Sequence, residues 1–372
     1  MSELYIGLMS GTSLDGADVV LIDFDETDCV IQAASTTPFP EDLTARLRAL
    51  VQTPEASLEE LGTLDVALGA FFAECVRQLV AESEHELDDI RAIGHSGHTI
   101  FHKPAPPQPF TLQLGDPNVI AAETGLDTVT DFRRTDMASG GQGAPLTPMF
   151  HQWRFADSGE VRVVVNLGGI ANITVLDPEQ PLRGFDTGPA NALMDSWSRQ
   201  CWGEQYDQEG RRARKGSVIP GLLAQFRADP YFQRRPPKST GFEHFNIAWV
   251  EAKLAASAES VAEEDVLRTL TELTAETVAD AIRASAPNCR RAILCGGGTF
   301  NTFLVERLGH HLADCDVESS AAHGIGPQWV EAVAFGWLAR RRIEQKVGNA
   351  PSVTGARRTA VLGSLYSIIG RR

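Results

Sequence analysis

A chain of 372 residues with a formal net charge of −16 is too long for one ordinary hydrophobic core and fits two packed lobes of about 150 to 200 residues each. The acidic balance argues against nucleic acid as a partner, because polyanion binding rests on neutralisation of phosphates by Lys and Arg. A small anion is still possible, since converging backbone N–H groups act at contact distance whatever the distant surface charge.

With 43% hydrophobic and 22% charged residues, the composition is that of a globular protein. No uninterrupted apolar run reaches the length of a membrane span, and the N-terminus lacks a basic stretch followed by a signal core, so a cytoplasmic location without membrane contact is expected. Six cysteines are scattered without a C-x-x-C spacing, which indicates neither a disulfide framework nor a zinc ribbon.

Residues 4–10 and 18–24 read as two apolar strands joined by "SGTSLDG", a hairpin pattern, with a third strand at 29–36. A long core helix follows. Ser57 and Glu60 have the spacing of a capping box, and Leu61, Leu64, Leu68, Phe71, Cys75 and Leu79 share one helical face. "IRAIGHSGHTIFHKPAPPQP" reads as a strand, a polar turn and a proline-rich loop; "FTLQLGDPNVIAAETG" reads as a strand entering a helix capped by Asp116 with Pro117 at its first position. After a short strand, "DFRRTDMASGGQGAPL" turns to alternating charge and glycine. A lobe boundary is expected there, near residue 133.

Beyond it, "VRVVVNLGGIANITVLD" repeats the opening strand, glycine turn and strand about 155 residues later, which suggests two lobes built alike. "DTGPANALMDSW" starts a helix, "EEDVLRTLTELTAETVADAIRA" is a second long amphipathic one, and "RRAILCGGGTFNTFLVERL" reads as strand, glycine turn and helix. "GPQWVEAVAFGWLARRRIEQ" supplies a further helix, and the last fifteen residues are expected to return to the first lobe.

Three glycine turns therefore follow apolar strands, at 10–16, 166–172 and 295–301. Glycine lets the backbone approach an anion closely, so that successive N–H groups converge on phosphate oxygens. None carries the lysine of a G-x-x-x-x-G-K-[ST] loop, and each taken alone is compatible with a plain sharp turn.

The order of hairpin, hairpin and strand-glycine-helix resembles the actin, hexokinase and Hsp70 superfamily of ATP-binding proteins. The composite motifs "GLMSGTSLDGAD", "FTLQLGDPNVIA", "DFRRTDMASGGQGAPL", "VNLGGIANIT", "GFDTGPANALMD", "PPKSTG", "LTELTA", "CGGGTFN", "VTGA" and "LGSLY" resemble, in order and over nearly the whole chain, the anhydro-N-acetylmuramic acid kinase family. The resemblance implies an α/β, two-lobed actin/hexokinase-like (ribonuclease H-like) fold with a nucleotide cleft between the lobes. Residues 1–133 plus 358–372 would form the N-terminal lobe, and 134–357 the C-terminal lobe.

By the same resemblance, Gly11, Thr12, Ser13, Leu14, Asp15, Gly16, Ala17 and Asp18 fall on the ATP loop. Asn166, Gly168, Gly169 and Asn172 form the second phosphate loop, and Gly296, Gly297, Gly298 and Asn301 the adenosine loop. A carboxylate beside phosphate needs a cation between them, so Asp15 or Asp18 is expected to hold Mg²⁺ through water. Asp15 also fits a simple turn former, given the Asp-Gly pair.

Asp186 is read as ending an apolar strand just before a helix, which leaves two roles open, a helix cap or a catalytic acid. In the family the matching aspartate is the general base. The implied substrate is 1,6-anhydro-N-acetylmuramic acid, whose bridge leaves no free 6-hydroxyl, so that water must open it while O6 takes the γ-phosphate of ATP. The products would be N-acetylmuramate 6-phosphate and ADP, made in peptidoglycan recycling by a homodimer.

Arg133, Arg134 and Asp136 are candidates for a lactyl carboxylate and sugar hydroxyls, Arg being suited to bidentate carboxylate recognition. Glu331 resembles a family position near the sugar. In "GHSGHTIFH", the family more often has a small residue followed by His-Gly-Gln-Thr. His95, Ser96 and His98 depart from that pattern, and the histidines at 95, 98 and 102 invite a metal-site reading. Other readings are a metal-dependent carbamoyl or acyl transferase, an actin-like filament or nucleotide-gated sensor, and hexokinase-like action on a free sugar.

Overall fold

The computed structural model describes residues 3–11, 16–53, 55–255 and 261–368. The chain divides into two compact units, Met1–Arg154 with Trp329–Arg372, and Phe155–Gln328. The division expected at 133 and 358 falls elsewhere. Residue 133 lies inside a helix of the first unit, and the long helix after Val330 belongs to that unit as well, because its glycine-bearing face packs on the opening strands.

The first unit begins with strands β1 (Glu3–Met9), β2 (Gly16–Phe24) and β3 (Cys29–Pro38), then helices α1 (Glu41–Gln52) and α2 (Leu58–Ala81). Ser57 caps α2 by accepting the Glu60 N–H, as its spacing predicts, while the Glu60 carboxylate pairs with Arg46 instead of closing the box. Strands β4 (Ile90–His95), β5 (His98–Lys103) and β6 (Phe110–Leu114) follow, then α3 (Pro117–Thr124), β7 (Thr128–Thr130), α4 (Phe132–Ala138) and α5 (Pro148–Phe155). Residues 98–103, expected to lie in turn and loop, form β5, which pairs with β6 in a two-stranded sheet of its own.

The second unit holds the antiparallel pair β8 (Val161–Leu167) and β9 (Ile170–Leu176), joined by Gly168-Gly169, then β10 (Arg183–Pro189) and α6 (Asn191–Trp202). Helices α7 (Pro220–Arg227), α8 (Ile247–Ala255) and α9 (Glu263–Ser285) lead to β11 (Cys289–Cys295), α10 (Thr302–His311) and β12 (Asp316–Ser319). The strand order is β10-β9-β8-β11-β12. Val163, Val165, Leu167, Ala171, Ile173 and Phe185 alternate along three of these strands into one core shared with α9, so the intervening residues project from the opposite face.

The chain then returns to the first unit with α11 (Val330–Ile343), α12 (Pro351–Thr354) and β13 (Ser364–Tyr366). Strand β13 pairs antiparallel with β7 and completes the sheet β13-β7-β4-β1-β2-β3, as the expected return of the C-terminal segment requires. Helix α11 lies directly on that sheet. A Cβ at Gly7 would stand 1.9 Å from the Ala332 carbonyl oxygen, and one at Gly94 would stand 2.1 Å from that of Phe335. These two glycines let strand and helix backbones touch. Among the described residues, no helix is long and apolar enough to cross a membrane.

Candidate active site

The second unit's sheet aligns several of the residues singled out in the sequence. Cys295 of β11 pairs in register with Asn166 of β8, Asn166 with Asn172 of β9, and Asn172 with Asp186 of β10. Directly paired residues share a face of the sheet, and alternation puts this row opposite the hydrophobic core. The two asparagines and the aspartate therefore form a polar file across three strands. Asn166 Oδ1 is buried without a hydrogen-bond partner among the described residues, an acceptor left for a donor from elsewhere.

Asp186 lies in mid-strand, one residue before an irregularity that shifts the register between Asp186 and Gly188. The expectation that it ends the strand is corrected: β10 runs on to Pro189, and α6 begins at Asn191 behind Ala190. Its helix-cap role falls with that, because the carboxylate lies well before the first turn. Local irregularities of this kind re-aim a side chain. The backbone N–H of Thr240 donates to Asp186 Oδ2 at 3.0 Å, the Asp186 N–H donates to the Lys238 carbonyl at 3.2 Å, and the Tyr231 hydroxyl donates to the Asp186 carbonyl at 2.7 Å.

Burial is the main influence on the Asp186 carboxyl and pushes its pKa up to about 6, with the Glu243 carboxylate adding to the rise; the Thr240 N–H and the Lys238 ammonium oppose it. A carboxylate poised near neutrality is what general-base work requires. The segment that supplies Lys238, Thr240 and Glu243 had "PPKSTG" as its only sequence signal, and Tyr231 had none. Phe242 of the same segment stands over the β8–β9 turn, where a Cβ on Gly169 would meet its ring at 2.7 Å.

The third glycine turn closes on the second. Gly296 has φ +82, and a Cβ there would lie 2.3 Å from Asn166 Oδ1; one on Gly298 would lie 2.7 Å from the Leu167 Cβ and 2.9 Å from Asn191 Oδ1. Glycine is required at Gly296 by conformation and space and at Gly298 by space. Gly297 has open space around it. The carbonyls of Gly168 and Gly169 accept N–H groups from the start of α6, at 3.0 Å from Asn191 and 2.9 Å from Ala190. Asn301 caps α10 by accepting the Leu304 N–H at 3.0 Å, so its side chain serves the helix.

In the first unit, Thr12, Ser13, Leu14 and Asp15 lie outside the described residues, whereas Gly11, Gly16, Ala17 and Asp18 lie within them. Gly16 sits where a Cβ would collide with the Thr37 carbonyl oxygen at 2.1 Å. Ala17 is buried in the sheet core. Asp18 Oδ1 accepts the Thr36 hydroxyl at 2.6 Å. Burial raises the pKa of Glu331 on α11, lowered in turn by Arg133 and raised further by Asp18, so these three charges share one neighbourhood. Arg133 Nη1 donates to the Gly143 carbonyl at 2.9 Å, while its buried Nε has no partner among the described residues. Two carboxylates near one another with an arginine suit a hydrated cation and an anionic group. Arg134 is exposed and lies 3.5 Å from Asp131.

Asp136 is a correction. It is fully buried; Oδ1 accepts Asn349 Nδ2 and the Thr354 hydroxyl, both at 2.9 Å, and Oδ2 accepts the Gly143 N–H at 2.9 Å. The glycine loop closes over it, since a Cβ on Gly141 would strike Oδ2 at 2.1 Å. With its oxygens taken up this way, Asp136 ties the loop to the returning C-terminal segment instead of meeting sugar.

The histidines do not converge. His95 Nδ1 accepts the Gly97 N–H, His98 Nδ1 lies 2.9 Å from Ser10 Oγ, and His102 Nδ1 lies 3.1 Å from Thr111 Oγ1. Burial pushes the pKa of each down to about 4, so all three are neutral. Among the described residues, the one group of three side chains able to hold a metal is Glu272, Glu276 and His311. Glu272 is already paired there with Arg307 and His311.

Comparison with known proteins accords with this arrangement. The sequence profile described as anhydro-N-acetylmuramic acid kinase matches residues 3–368. Similar proteins named anhydro-N-acetylmuramic acid kinase include one from Coxiella burnetii (strain Dugway 5J108-111), 47% identical over 98% of this chain and 97% of its own. Others are from Saccharophagus degradans, 45% identical over 98% of this chain and 99% of its own, and from Vibrio parahaemolyticus, 46% identical over the same shares. Among solved structures, the activator of 2-hydroxyisocaproyl-CoA dehydratase from Clostridium difficile with bound ADPNP aligns with a TM-score of 0.48 at 12% identity, covering 93% of this chain and 96% of that one. The profile match from end to end, together with relatives near half identity over almost the full length, places this chain in the anhydro-N-acetylmuramic acid kinase family.

Proposed function

We propose that the protein is a kinase that hydrolytically opens 1,6-anhydro-N-acetylmuramic acid and phosphorylates O6 with ATP, giving N-acetylmuramate 6-phosphate and ADP. The observation that carries the reading is Asp186, a carboxylate held by the Thr240 N–H and shifted up to about pH 6 beside the file of Asn166 and Asn172.

Asp186 takes a proton from water, and the resulting nucleophile attacks the anomeric carbon opposite the bridging oxygen, as in an inverting glycosidase. The C1–O6 bond breaks, and O6 takes the γ-phosphoryl group. Proton removal and phosphoryl transfer assist one another, because the charge developing on O6 is taken up as the O6–P bond forms, while the bond from the γ-phosphorus to the bridging oxygen breaks and its electron pair leaves on ADP. The glycine turns of the second unit at Gly168, Gly169 and Gly296–Gly298 are one set of candidates for the nucleotide, and Gly11 and Gly16 of the first unit are another. Arg133, whose Nε has no partner among the described residues, meets the lactyl carboxylate, and Glu331 accepts from a sugar hydroxyl. Asp18, or Asp15 outside the described residues, would hold Mg²⁺ through water, and that ion would neutralise phosphate charge. A cytoplasmic, dimeric enzyme of peptidoglycan recycling is the setting this reaction suits.

Incubation with ATP, Mg²⁺ and the anhydro sugar, followed by mass spectrometry, tests the reading. One product should gain both the elements of water and a phosphoryl group. Recovery of unchanged sugar with unchanged ATP overturns it.

A further inference from the structure

Two thiols far apart in sequence meet at one corner of the second unit's sheet. Cys289 opens β11 immediately after α9, and Cys315 precedes β12 immediately after α10, so the two helix-to-strand turns place their cysteines side by side. The strands are parallel neighbours, with Arg291 opposite Asp316. The sulfurs lie 3.4 Å apart. Cys289 is buried and Cys315 half-buried, and both are free thiols.

We infer that Cys289 and Cys315 form an oxidisable pair that closes to a reversible disulfide under peroxide, a covalent clip on the edge strand of the sheet. A disulfide needs the sulfurs at about 2.05 Å, so closure from 3.4 Å demands a relative movement of about 1.4 Å, within reach of side-chain rotation between adjacent strands. At this contact either thiol can donate, and the Cys289 thiol also reaches the Arg291 carbonyl at 3.4 Å. When the thiolate forms on Cys289 it accepts from the Cys315 thiol, so the contact lowers the Cys289 pKa and raises that of Cys315. Cys289 is thus the nucleophile and Cys315 the resolving thiol.

The chemistry balances with hydrogen peroxide as the oxidant. The Cys289 thiolate attacks one peroxide oxygen, the O–O bond breaks, and the departing hydroxide takes a proton to leave as water with a sulfenic acid formed. Cys315 then attacks the sulfenyl sulfur, the S–S bond forms, and a second water leaves. Two thiols are oxidised and one peroxide reduced.

The clip would close a chain segment that contains β11, the turn at Gly296–Gly298 and α10. Strand β12 has four residues and, among the described residues, a hydrogen-bonded neighbour on one side alone, so its attachment depends on few contacts. The link sits at the start of β11, whereas the glycine turn follows its end. Oxidation should therefore raise resistance to unfolding and leave turnover unchanged.

The full chain is treated with hydrogen peroxide and compared with C289S and C315S. The wild type should lose two hydrogens in intact mass and give a linked peptide containing both residues in a non-reducing digest. Dithiothreitol should reverse both changes, and the oxidised form should melt several degrees higher. Neither variant should form that linked peptide, and C315S, at a half-buried position, supplies the test even if C289S folds poorly. Separate sulfinic acids on the two cysteines, or a wild type that yields no linked peptide, would overturn the inference.

Discussion

The side chain of Asp186 and the backbone N–H of Thr240 meet at 3.0 Å, across 54 positions of sequence. That bond aims one carboxylate oxygen, while burial keeps the carboxyl more basic than an ordinary aspartate. Replacing Asp186 by Asn keeps the shape and removes the base. The turnover number should fall by about 10²- to 10⁴-fold, while nucleotide affinity measured by titration calorimetry stays close to that of the wild type.

The shifted carboxyl also fixes how activity depends on pH. Turnover should rise as pH increases through about 6 and level off above it, because the base works when ionised. An acid limb centred near the ordinary aspartate value in stopped-time assays would remove Asp186 from that role.

Folding stability should carry the opposite sign. The folded-state pKa of about 6 lies above the ordinary 3.8, so between these values the native protein binds more protons than the unfolded chain, and stability falls as pH rises. Desolvation of this carboxylate should cost about 3 kcal/mol above pH 6. Asp186→Asn should recover that amount at pH 7 in denaturant titration and lose the pH dependence of that window. An Asn variant less stable than wild type at pH 7 would contradict the assignment of burial as the leading cause.

Asp136 should behave as a structural residue. Its replacement by Ala leaves Asn349, Thr354 and the Gly143 N–H without their acceptor, which should cost about 3 kcal/mol or more. The expected outcome is a markedly lower melting temperature by calorimetry. Sugar affinity lost at full stability would instead return Asp136 to the binding site.

Gly296→Ala tests the close approach of two glycine turns. With φ +82 and Asn166 Oδ1 2.3 Å from the new methyl group, the backbone must shift or the asparagine must yield. The KM for ATP should rise while the KM for sugar holds. An unchanged KM for ATP would show that this turn does not receive the nucleotide.

What could be read in the sequence was whatever depends on near neighbours. The hairpin spacing at 166–172, the cap at Ser57 and the cap at Asp116 with Pro117 all formed where expected, because each satisfies its own backbone within a few residues. Asp186 was legible as a residue but misplaced on its strand, since the register that carries β10 past it is set by β9. The partners that aim it, Thr240 and Tyr231, lie 54 and 45 residues away. Asp136 read as a charged loop residue because its three donors come from Gly143, Asn349 and Thr354, two of them more than 200 residues distant. Strand β5 was hidden by the polar "HTIFHK" and the prolines beyond it; it forms because β6 offers its edge.

The proposed chemistry is tested most directly by running the reaction in H₂¹⁸O with ATP, Mg²⁺ and 1,6-anhydro-N-acetylmuramic acid, and locating the label by mass spectrometry of the fragmented product. The account predicts one ¹⁸O on the anomeric carbon, with none in the phosphoryl group or in the C6–O–P bridge. A phosphorylated sugar with an unlabelled anomeric oxygen would contradict it.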